Sequence, residues 1–227
     1  MIFTHLFQLL FPRVCAVCGA SLIKGEDEIC ISCIVKMPRT NMYLQKNNVV
    51  EKRFWGKVNV ERATAYFYFE KGSNYQKILH SLKYKDNKEV GYVMGSLAAS
   101  ELLSNDYFAD VDLILPVPLH PKKLAQRGYN QSECICQGLS EILKIPYSTQ
   151  YLVRTHTNST QTKKNVFDRH TNTKGIFTVN KSEELVGKHV LVVDDVLTTG
   201  STIEACIVDL ENIPDIKISV FTLAIAR

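Results

Sequence analysis

The chain contains 227 residues, 45% of them hydrophobic, and carries a formal net charge of +4. A chain of this length and apolar content can bury a core, and it is long enough for one main domain and a small additional module. The positive charge is small and lies in short clusters, which suits phosphate ligands and differs from the strong basic surplus of most DNA-binding proteins. Composition still leaves open a weak groove for single-stranded nucleic acid.

The amino-terminal segment, residues 1–11, is apolar and is followed by Pro12. Its apolar side chains recur near helical spacing, which predicts a short amphipathic helix packed against the protein. The segment is too short to span a bilayer and has neither a charged leader nor a small-residue cleavage site, so we expect no transmembrane segment and no export signal. The seven cysteines favour a reducing, cytoplasmic environment over a disulfide scaffold.

Four of the cysteines form two pairs with the spacing of a metal site. Cys15-x-x-Cys18 and Cys30-x-x-Cys33 are separated by eleven residues, which is typical of four thiolates around one tetrahedral Zn²⁺. Four protein ligands leave no open position for chemistry, so the predicted zinc site is structural. A redox role for either pair is the alternative. The other cysteines lie in predicted helices and are interpreted as packing residues: Cys134, Cys136 and Cys206.

The rest of the chain predicts an α/β fold. Residues 41–59 are polar and weakly patterned, which indicates a linker or an irregular connection. Strands are predicted at 63–69, 111–115, 151–153, 189–193 and 216–225, and helices at 73–84, 89–103, 129–143 and 201–211. This alternation favours a mainly parallel sheet flanked by helices on both faces, with ligands at the carboxyl ends of the strands. We predict an amino-terminal unit of residues 1–58 and a main domain of residues 59–227.

The strand at 190–193 is followed by two groups with opposite chemistry. It is apolar on both faces, as a buried parallel strand requires, and leads directly into Asp194 and Asp195. Carboxylates accept hydrogen bonds, so this pair can hold sugar hydroxyls or a hydrated Mg²⁺. The hydroxyl loop, Thr198-Thr199-Gly200-Ser201-Thr202, then offers donors at a predicted helix start, where an anion is favoured. A ribose 5-phosphate matches both halves.

Two alternatives compete with this interpretation. An ordinary strand and turn would use Asp195 or Ser201 only as a helix cap. A magnesium-binding nucleoside triphosphatase would need the phosphate loop G-x-x-x-x-G-K-[ST], which this sequence lacks, since Gly56-Lys57 leads to Val58.

Residues 190–202 resemble the signature that binds 5-phosphoribosyl-1-pyrophosphate (PRPP) in type I phosphoribosyltransferases. The segments 115–120 (LPVPLH) and 127–131 (RGYNQ) are in addition similar to the ComF family, whose members join a cysteine-rich amino-terminal module to a phosphoribosyltransferase domain. The resemblance covers essentially the whole chain. It implies a type I phosphoribosyltransferase-like fold, PRPP or another ribose 5-phosphate as ligand, ribose contacts from Asp194 and Asp195, and binding of the 5-phosphate by the hydroxyl loop.

The resemblance also implies contacts outside the signature. The turn around Pro116 and Pro118 resembles a pyrophosphate loop, and residues 154–169 resemble the hood that closes over PRPP. Further implied PRPP contacts are Lys83, Lys85, Pro118, Arg127, Asn130, Gln131, Gln161 and Arg169. The residues alone leave simpler roles open: Lys83 and Lys85 can compensate a helix dipole, Arg127 can be a surface charge and Asn130 a helix cap.

Three functions remain compatible with the sequence. An enzyme would displace pyrophosphate from PRPP with a nitrogen nucleophile, with Mg²⁺ on the leaving group and Asp194 and Asp195 orienting the ribose. A non-catalytic accessory in DNA uptake would bind single-stranded DNA or a protein of the uptake machinery, with PRPP as a regulatory ligand. A PRPP-sensing regulator would respond to ligand binding at another surface. No residue pattern identifies an acceptor or an oligomeric state.

Overall fold

The computed structural model describes residues 12–84, 87–154 and 176–227. The helices are α1 Ile31–Val35, α2 Gln76–Tyr84, α3 Lys88–Leu103, α4 Pro121–Arg127, α5 Gln131–Leu143 and α6 Ser201–Leu210. The strands are β1 Arg62–Phe69, β2 Leu113–Pro116, β3 Leu152–Arg154, β4 Phe177–Val179, β5 His189–Leu197 and β6 Lys217–Ala226. Short 3₁₀ helices lie at Met42–Leu44, Glu51–Arg53 and Ser182–Leu185. The helix predicted for residues 1–11 lies outside the described residues.

The main sheet is parallel throughout its four strands, in the order β1-β6-β5-β2. This confirms the predicted parallel sheet. The strand near residue 152 instead pairs antiparallel with β4 in a separate two-stranded sheet. The sequence pattern did not predict β4 or α4, because each is too short for its periodicity to stand out.

Strand β5 is longer than predicted, and Asp194 and Asp195 lie within it rather than after it. The reason is its neighbour β6, which continues to pair with β5 as far as Leu197. On its other side, β2 pairs with β5 only as far as Pro116, opposite Val193. The two acidic residues therefore sit beside an open edge where β2 has ended.

Alternate side chains of β5 enter two apolar layers. Leu191 and Val193 pack in the layer that contains buried residues of α2, α3 and α5. Val190 and Val192 pack in the layer that contains α6 and apolar residues from 42–58. Helices therefore cover both faces of the sheet, as the buried strand pattern predicted.

Helices α3 and α5 approach each other closely through glycines. A Cβ atom at Gly138 would lie 2.2 Å from the Tyr92 carbonyl oxygen, and one at Gly95 would lie 2.3 Å from the Ile135 carbonyl oxygen. No side chain fits at that separation, so the two helix backbones touch. This contact fixes the position of α5, whose start forms one wall of the candidate site described below.

Residues 42–58 pack into the core. Met42, Val50, Phe54 and Val58 are buried with the α6 layer, and the Asn48 amide donates to the Ala63 carbonyl oxygen over 2.9 Å. The segment is therefore an irregular connection with a packed apolar face and not an exposed linker. The domain boundary at residue 58 stays a prediction.

The cysteine module, residues 13–40, is attached to the edge of the main sheet. Its last residues run antiparallel to β1, with Thr40 N donating to Tyr66 O over 3.0 Å and Tyr68 N donating to Pro38 O over 2.8 Å. Tyr75 OH, just before α2, donates to the Cys33 carbonyl oxygen over 2.9 Å. The module thus covers an otherwise unpaired strand edge.

The buried side chains of His189 and Ser219 join two strands at the amino-terminal end of the sheet. Nε2 of His189 lies 2.8 Å from Ser219 Oγ, and its Nδ1 lies 3.2 Å from Asp110 Oδ2. These residue types occur in hydrolytic triads, but Ser219 is 0% exposed and no substrate reaches it. The group therefore connects β5, β6 and the residues before β2.

In the three described ranges, no helix combines the length and apolar character needed to cross a membrane.

Candidate functional site

The carboxyl end of β5 opens into a cavity of about 180 Å³. Its floor is formed by Asp194 and Asp195, and its walls come from the end of α2, the turn after β2, α4 and the start of α5. Cationic side chains surround it: Lys83, Lys123, Arg127 and Arg154. A second cavity of about 450 Å³ adjoins it, because the two share Lys83, Lys123 and Arg127.

The two carboxylates have different partners. Asp194 Oδ1 accepts hydrogen bonds from Ser132 Oγ over 3.0 Å and from Asp195 N over 2.9 Å. Asp195, which is 7% exposed, forms an ion pair with Lys83, with 2.8 Å between Oδ2 and Nζ. Burial, followed by the neighbouring Asp195 charge, raises the pKa of Asp194 to about 7. Asp194 therefore titrates near neutral pH, beside the ion pair of Asp195 with Lys83.

The hydroxyl loop turns sharply into α6. Gly200 has a φ of +87°, a conformation that glycine adopts without strain, and it is the N-cap residue of α6 without a side-chain cap. Thr198, Thr199, Ser201 and Thr202 are exposed, and Thr202 lines the cavity. Neither Asp195 nor Ser201 caps the helix through its side chain, so the simple capping alternative does not describe this loop.

Phe54 supports the hydroxyl loop from below. It is 1% exposed, and a Cβ atom at Gly200 would lie 3.5 Å from Phe54 Cε1. Nearby, Lys57 Nζ lies 3.2 Å from Glu204 Oε2 on α6. No sequence pattern predicts this support, because the contact joins residues far apart along the chain.

Gln131 has a buried donor without a partner. Its side-chain Oε1 accepts a hydrogen bond from Arg127 Nη1 over 2.8 Å. Since a guanidinium only donates, the amide oxygen must face Arg127 and Nε2 must point elsewhere. Gln131 is 3% exposed, lines the cavity, and its Nε2 has no hydrogen-bond partner among the described residues. Such a buried donor is costly unless a ligand or water accepts its hydrogen bond.

Asn130 and His120 hold the neighbouring loops. Asn130 Oδ1 accepts from Ser132 N over 3.2 Å at the start of α5, and its Nδ2 donates to Val117 O over 3.0 Å. The two ends of the Asn130 side-chain amide thus cap α5 and bind the turn that precedes α4. His120 Nδ1 accepts from Lys122 N over 3.2 Å, which caps the start of α4.

The structure brings most of the predicted contacts to one place. Lys83, Pro118, Arg127, Asn130 and Gln131 all line the cavity with the two carboxylates. Lys85, Gln161 and Arg169 lie outside the described residues, as does the predicted hood apart from Arg154.

Sequence reasoning missed two polar lining residues, Lys123 and Ser132, and did not name Arg154 as a contact within the predicted hood. Ser132 follows the Asn130 cap at the second position of α5, so its location could have been inferred once that cap was accepted. Lys123 belongs to α4, which the sequence did not predict.

The four cysteines of the module form one cluster. Their Sγ atoms all lie within 4.8 Å of one another, and Cys18 Sγ lies 3.8 Å from Cys30 Sγ. A tetrahedral ZnS₄ centre has an S···S separation of about 3.8 Å. All four cysteines are free thiols. The arrangement therefore fits one metal ion such as zinc. It brings both C-x-x-C pairs into one cluster, whereas a redox role would use a single pair.

Backbone amides surround the Cys15 sulfur. Val17 N and Cys30 N each donate to Cys15 Sγ over 3.4 Å. Burial alone raises the pKa of Cys15, but these amides and that of Cys18 together lower it to about 7. Amide hydrogen bonds of this kind stabilise thiolate ligands in metal sites.

Comparison with known proteins agrees with the fold. Residues 130–221 match the phosphoribosyl transferase domain family. DNA utilization protein YhgH of Escherichia coli K12 is 32% identical over 129 residues, which cover 56% of this chain and 56% of that protein. Competence protein F of Haemophilus influenzae is 39% identical over 93 residues, which cover 40% of this chain and 41% of that protein. The chain therefore spans about half the length of the curated relatives it matches, or less.

Among solved structures, glutamine PRPP amidotransferase from B. subtilis gives a TM-score of 0.42 at 16% identity, over 63% of this chain and 30% of that chain. A score of this size supports no inference. The parallel sheet and the matched family define a phosphoribosyltransferase-type domain with a four-cysteine cluster near its amino terminus. The two curated homologues confirm the resemblance to the ComF family.

Proposed function

We propose that the cavity binds PRPP, a ribose 5-phosphate with a diphosphate on C1. Asp194 and Asp195 supply acceptors for the ribose hydroxyls, and the hydroxyl loop supplies donors for the 5-phosphate. The single observation that carries the proposal is the side chain of Gln131, which lines a cavity surrounded by cations and has a buried Nε2 donor without an acceptor among the described residues. A diphosphate oxygen would satisfy it.

The charges around the cavity support an anionic ligand. Four cationic side chains face two carboxylates among the described lining residues. Burial and Asp195 together favour a proton on Asp194, which reduces the negative charge further. A ligand with several phosphate charges therefore gains electrostatic free energy in this cavity.

Mg²⁺ fits this site only together with the ligand. Lys83 already pairs with Asp195. Asp194 Oδ1 already accepts hydrogen bonds from Ser132 Oγ and from the Asp195 backbone amide. The two carboxylates therefore do not form a free set of ligands for a bare ion. Mg²⁺ is commonly bound through substrate phosphates and retained waters. When bound in this way it would neutralise charge on the diphosphate.

The proposed reaction is phosphoribosyl transfer. A nitrogen nucleophile would form a bond to C1 with its lone pair while the bond from C1 to the diphosphate oxygen breaks, and pyrophosphate would leave with that electron pair. Lys83, Lys123 and Arg127 would stabilise the leaving group, while Asp194 and Asp195 would hold the ribose and the positive charge that develops on it. The acceptor is to be found by experiment.

Calorimetric titration of PRPP with Mg²⁺ tests the ligand. We expect saturable binding that Gln131→Met weakens by about tenfold, because one hydrogen bond to a charged acceptor is lost at nearly constant volume. Gln137→Met is the matched control, since Gln137 lies on the same helix, exposed and outside the cavity. Absence of PRPP binding to the wild type would overturn the proposal. Pyrophosphate release across a panel of purine, pyrimidine and amine acceptors then separates an enzyme from a binding protein.

A role in DNA handling is the second candidate. The observation in its favour is that the relatives are named DNA utilization protein and competence protein F. In this role the cysteine module would bind single-stranded DNA or a protein of the uptake machinery, and PRPP would be a regulatory ligand.

Fluorescence anisotropy with a labelled single-stranded oligonucleotide tests this role. We expect binding that weakens by about tenfold or more between about 50 and about 200 mM salt and that Cys18→Ser with Cys33→Ser abolishes. Cys206→Ser, in the buried face of α6, should leave it unchanged. An oligonucleotide affinity that changes neither with the salt concentration nor in the cysteine variants would rule the role out.

We also propose a reducing, cytoplasmic location. All seven cysteines are free thiols, and the four that cluster would be needed in that form to hold a metal.

A further inference from the structure

Lys83 takes part in two sites at once. It lies in the last turn of α2 and lines both the cavity with the carboxylates and the adjoining cationic cavity. Its Nζ lies 2.8 Å from Asp195 Oδ2, and the two side chains are 25% and 11% exposed. Lys83 therefore occupies the carboxylate that the proposed ribose site needs, and it is also one of the cations available to a diphosphate.

The two uses of Lys83 compete, because the ammonium group that pairs with Asp195 is also the one that a diphosphate would attract. A ribose hydroxyl reaches Asp195 Oδ2 fully only if Lys83 moves away. If a diphosphate draws Lys83 away by itself, Asp195 remains nearly buried and unpaired beside Asp194, whose pKa is already raised by the same lack of solvent. Breaking a largely buried ion pair without replacing the partner is strongly unfavourable.

We propose that Lys83 makes the site selective for ligands that carry both a ribose and a diphosphate. The diphosphate takes Lys83, and the ribose hydroxyls replace it on Asp195. Each part of the ligand thereby lowers the free-energy cost of binding the other. This inference rests on the proposed PRPP site and adds to it a coupling between its two halves.

The coupling is measurable with the two halves as separate ligands. Ribose 5-phosphate should bind the wild type about fivefold or more tightly when pyrophosphate and Mg²⁺ are saturating, and pyrophosphate should gain by the same factor from ribose 5-phosphate. Lys83→Met should weaken pyrophosphate binding and reduce this factor to below about twofold. Lys83→Arg keeps a cation opposite Asp195 and should retain the coupling.

Lys123→Met is the matched control. Lys123 lines the same two cavities and forms no ion pair within residues 12–84, 87–154 and 176–227. Its loss should weaken pyrophosphate binding while the coupling persists. This comparison separates the effect of Lys83 from a general loss of positive charge and from a Mg²⁺ ion that bridges the two ligands.

Isothermal titration of the four proteins decides between the outcomes, after circular dichroism has shown that each is folded. Independent or competitive binding of the two ligands to the wild type would overturn the inference, as would an unchanged coupling factor in Lys83→Met. If PRPP itself binds while the coupling is absent, the inference fails and the proposed function stands. If PRPP does not bind the wild type, both fall.

Discussion

Asp194→Asn combined with Asp195→Asn is expected to weaken PRPP binding by about 100-fold or more, because the ribose hydroxyls lose two carboxyl groups as partners and a hydrogen bond to a charged group contributes about 1.5–3 kcal/mol. An asparagine retains the shape and one acceptor of each side chain but not the charge. The two residues form the floor of the cavity, so no other described side chain replaces them. Calorimetry with PRPP and Mg²⁺ measures the loss.

Asp209→Asn is the control for this variant. Asp209 is also an acidic residue with some burial, which raises its pKa, but it lies on α6 and lines a different cavity. The Asp209→Asn protein should bind PRPP as the wild type does. Equal affinity of the double variant and the Asp209→Asn protein would contradict the assignment of the ribose site.

Thermal unfolding of Asp194→Asn gives an independent readout of the same site. The pKa of Asp194 is raised from 3.8 to about 7 in the folded protein, so the folded state binds the proton more tightly than the unfolded state. The proton-linked stabilisation is therefore present below about pH 4 and is lost as the pH rises toward about 7. The wild type should lose stability relative to Asp194→Asn across this range, and parallel pH profiles would contradict the raised pKa.

Cys15→Ser combined with Cys30→Ser is expected to remove the metal and unfold the cysteine module. Apparent binding free energies of structural zinc sites are about 10–16 kcal/mol, and that free energy is part of the folding free energy. Cys15 and Cys30 are buried in the layer that includes residues of α2 and α3, so loss of the cluster also exposes part of the main domain. Metal analysis should fall from about one zinc per chain to near zero, with a lower melting temperature.

Cys134→Ser and chelator treatment complete this test. Cys134 is buried on α5, outside the cluster, so its substitution costs some packing but should leave the zinc content unchanged. A chelator should reproduce the effect of the double variant in the wild type. Freshly purified wild type without metal, or a double variant that melts like the wild type, would contradict a structural zinc site.

The fold was largely predictable because its strongest signals are local. A strand as apolar as residues 190–193 has to be buried on both faces, and the regular alternation with helices then favours a parallel sheet. The cysteine cluster was equally predictable, since two C-x-x-C pairs at short separation bring four sulfurs together with few alternatives. Elements too short for a periodic pattern, α4 and β4, could not be found in this way.

The types of chemical group in the candidate site were predictable from the sequence, but the contacts between them were not. The order of an acidic pair and a hydroxyl loop predicts acceptors followed by donors, and the structure places both at one end of β5. Two of the contacts join residues distant in the chain: Lys83 pairs with Asp195, and Phe54 lies beneath Gly200. Single-sequence patterns carry no information on such contacts.

The sequence by itself determined the parallel α/β class, the four-cysteine cluster and the types of group around the cavity, because spacing and burial patterns are properties of neighbouring residues. Only the tertiary structure decided which of those groups are already engaged. In the folded protein the Asn130 side-chain amide donates to Val117 O, Asp195 pairs with Lys83, and Gln131 Nε2 has no partner among the described residues. The physical reason is that a side chain's charge and its hydrogen bonds depend on neighbours that folding brings together from separate segments.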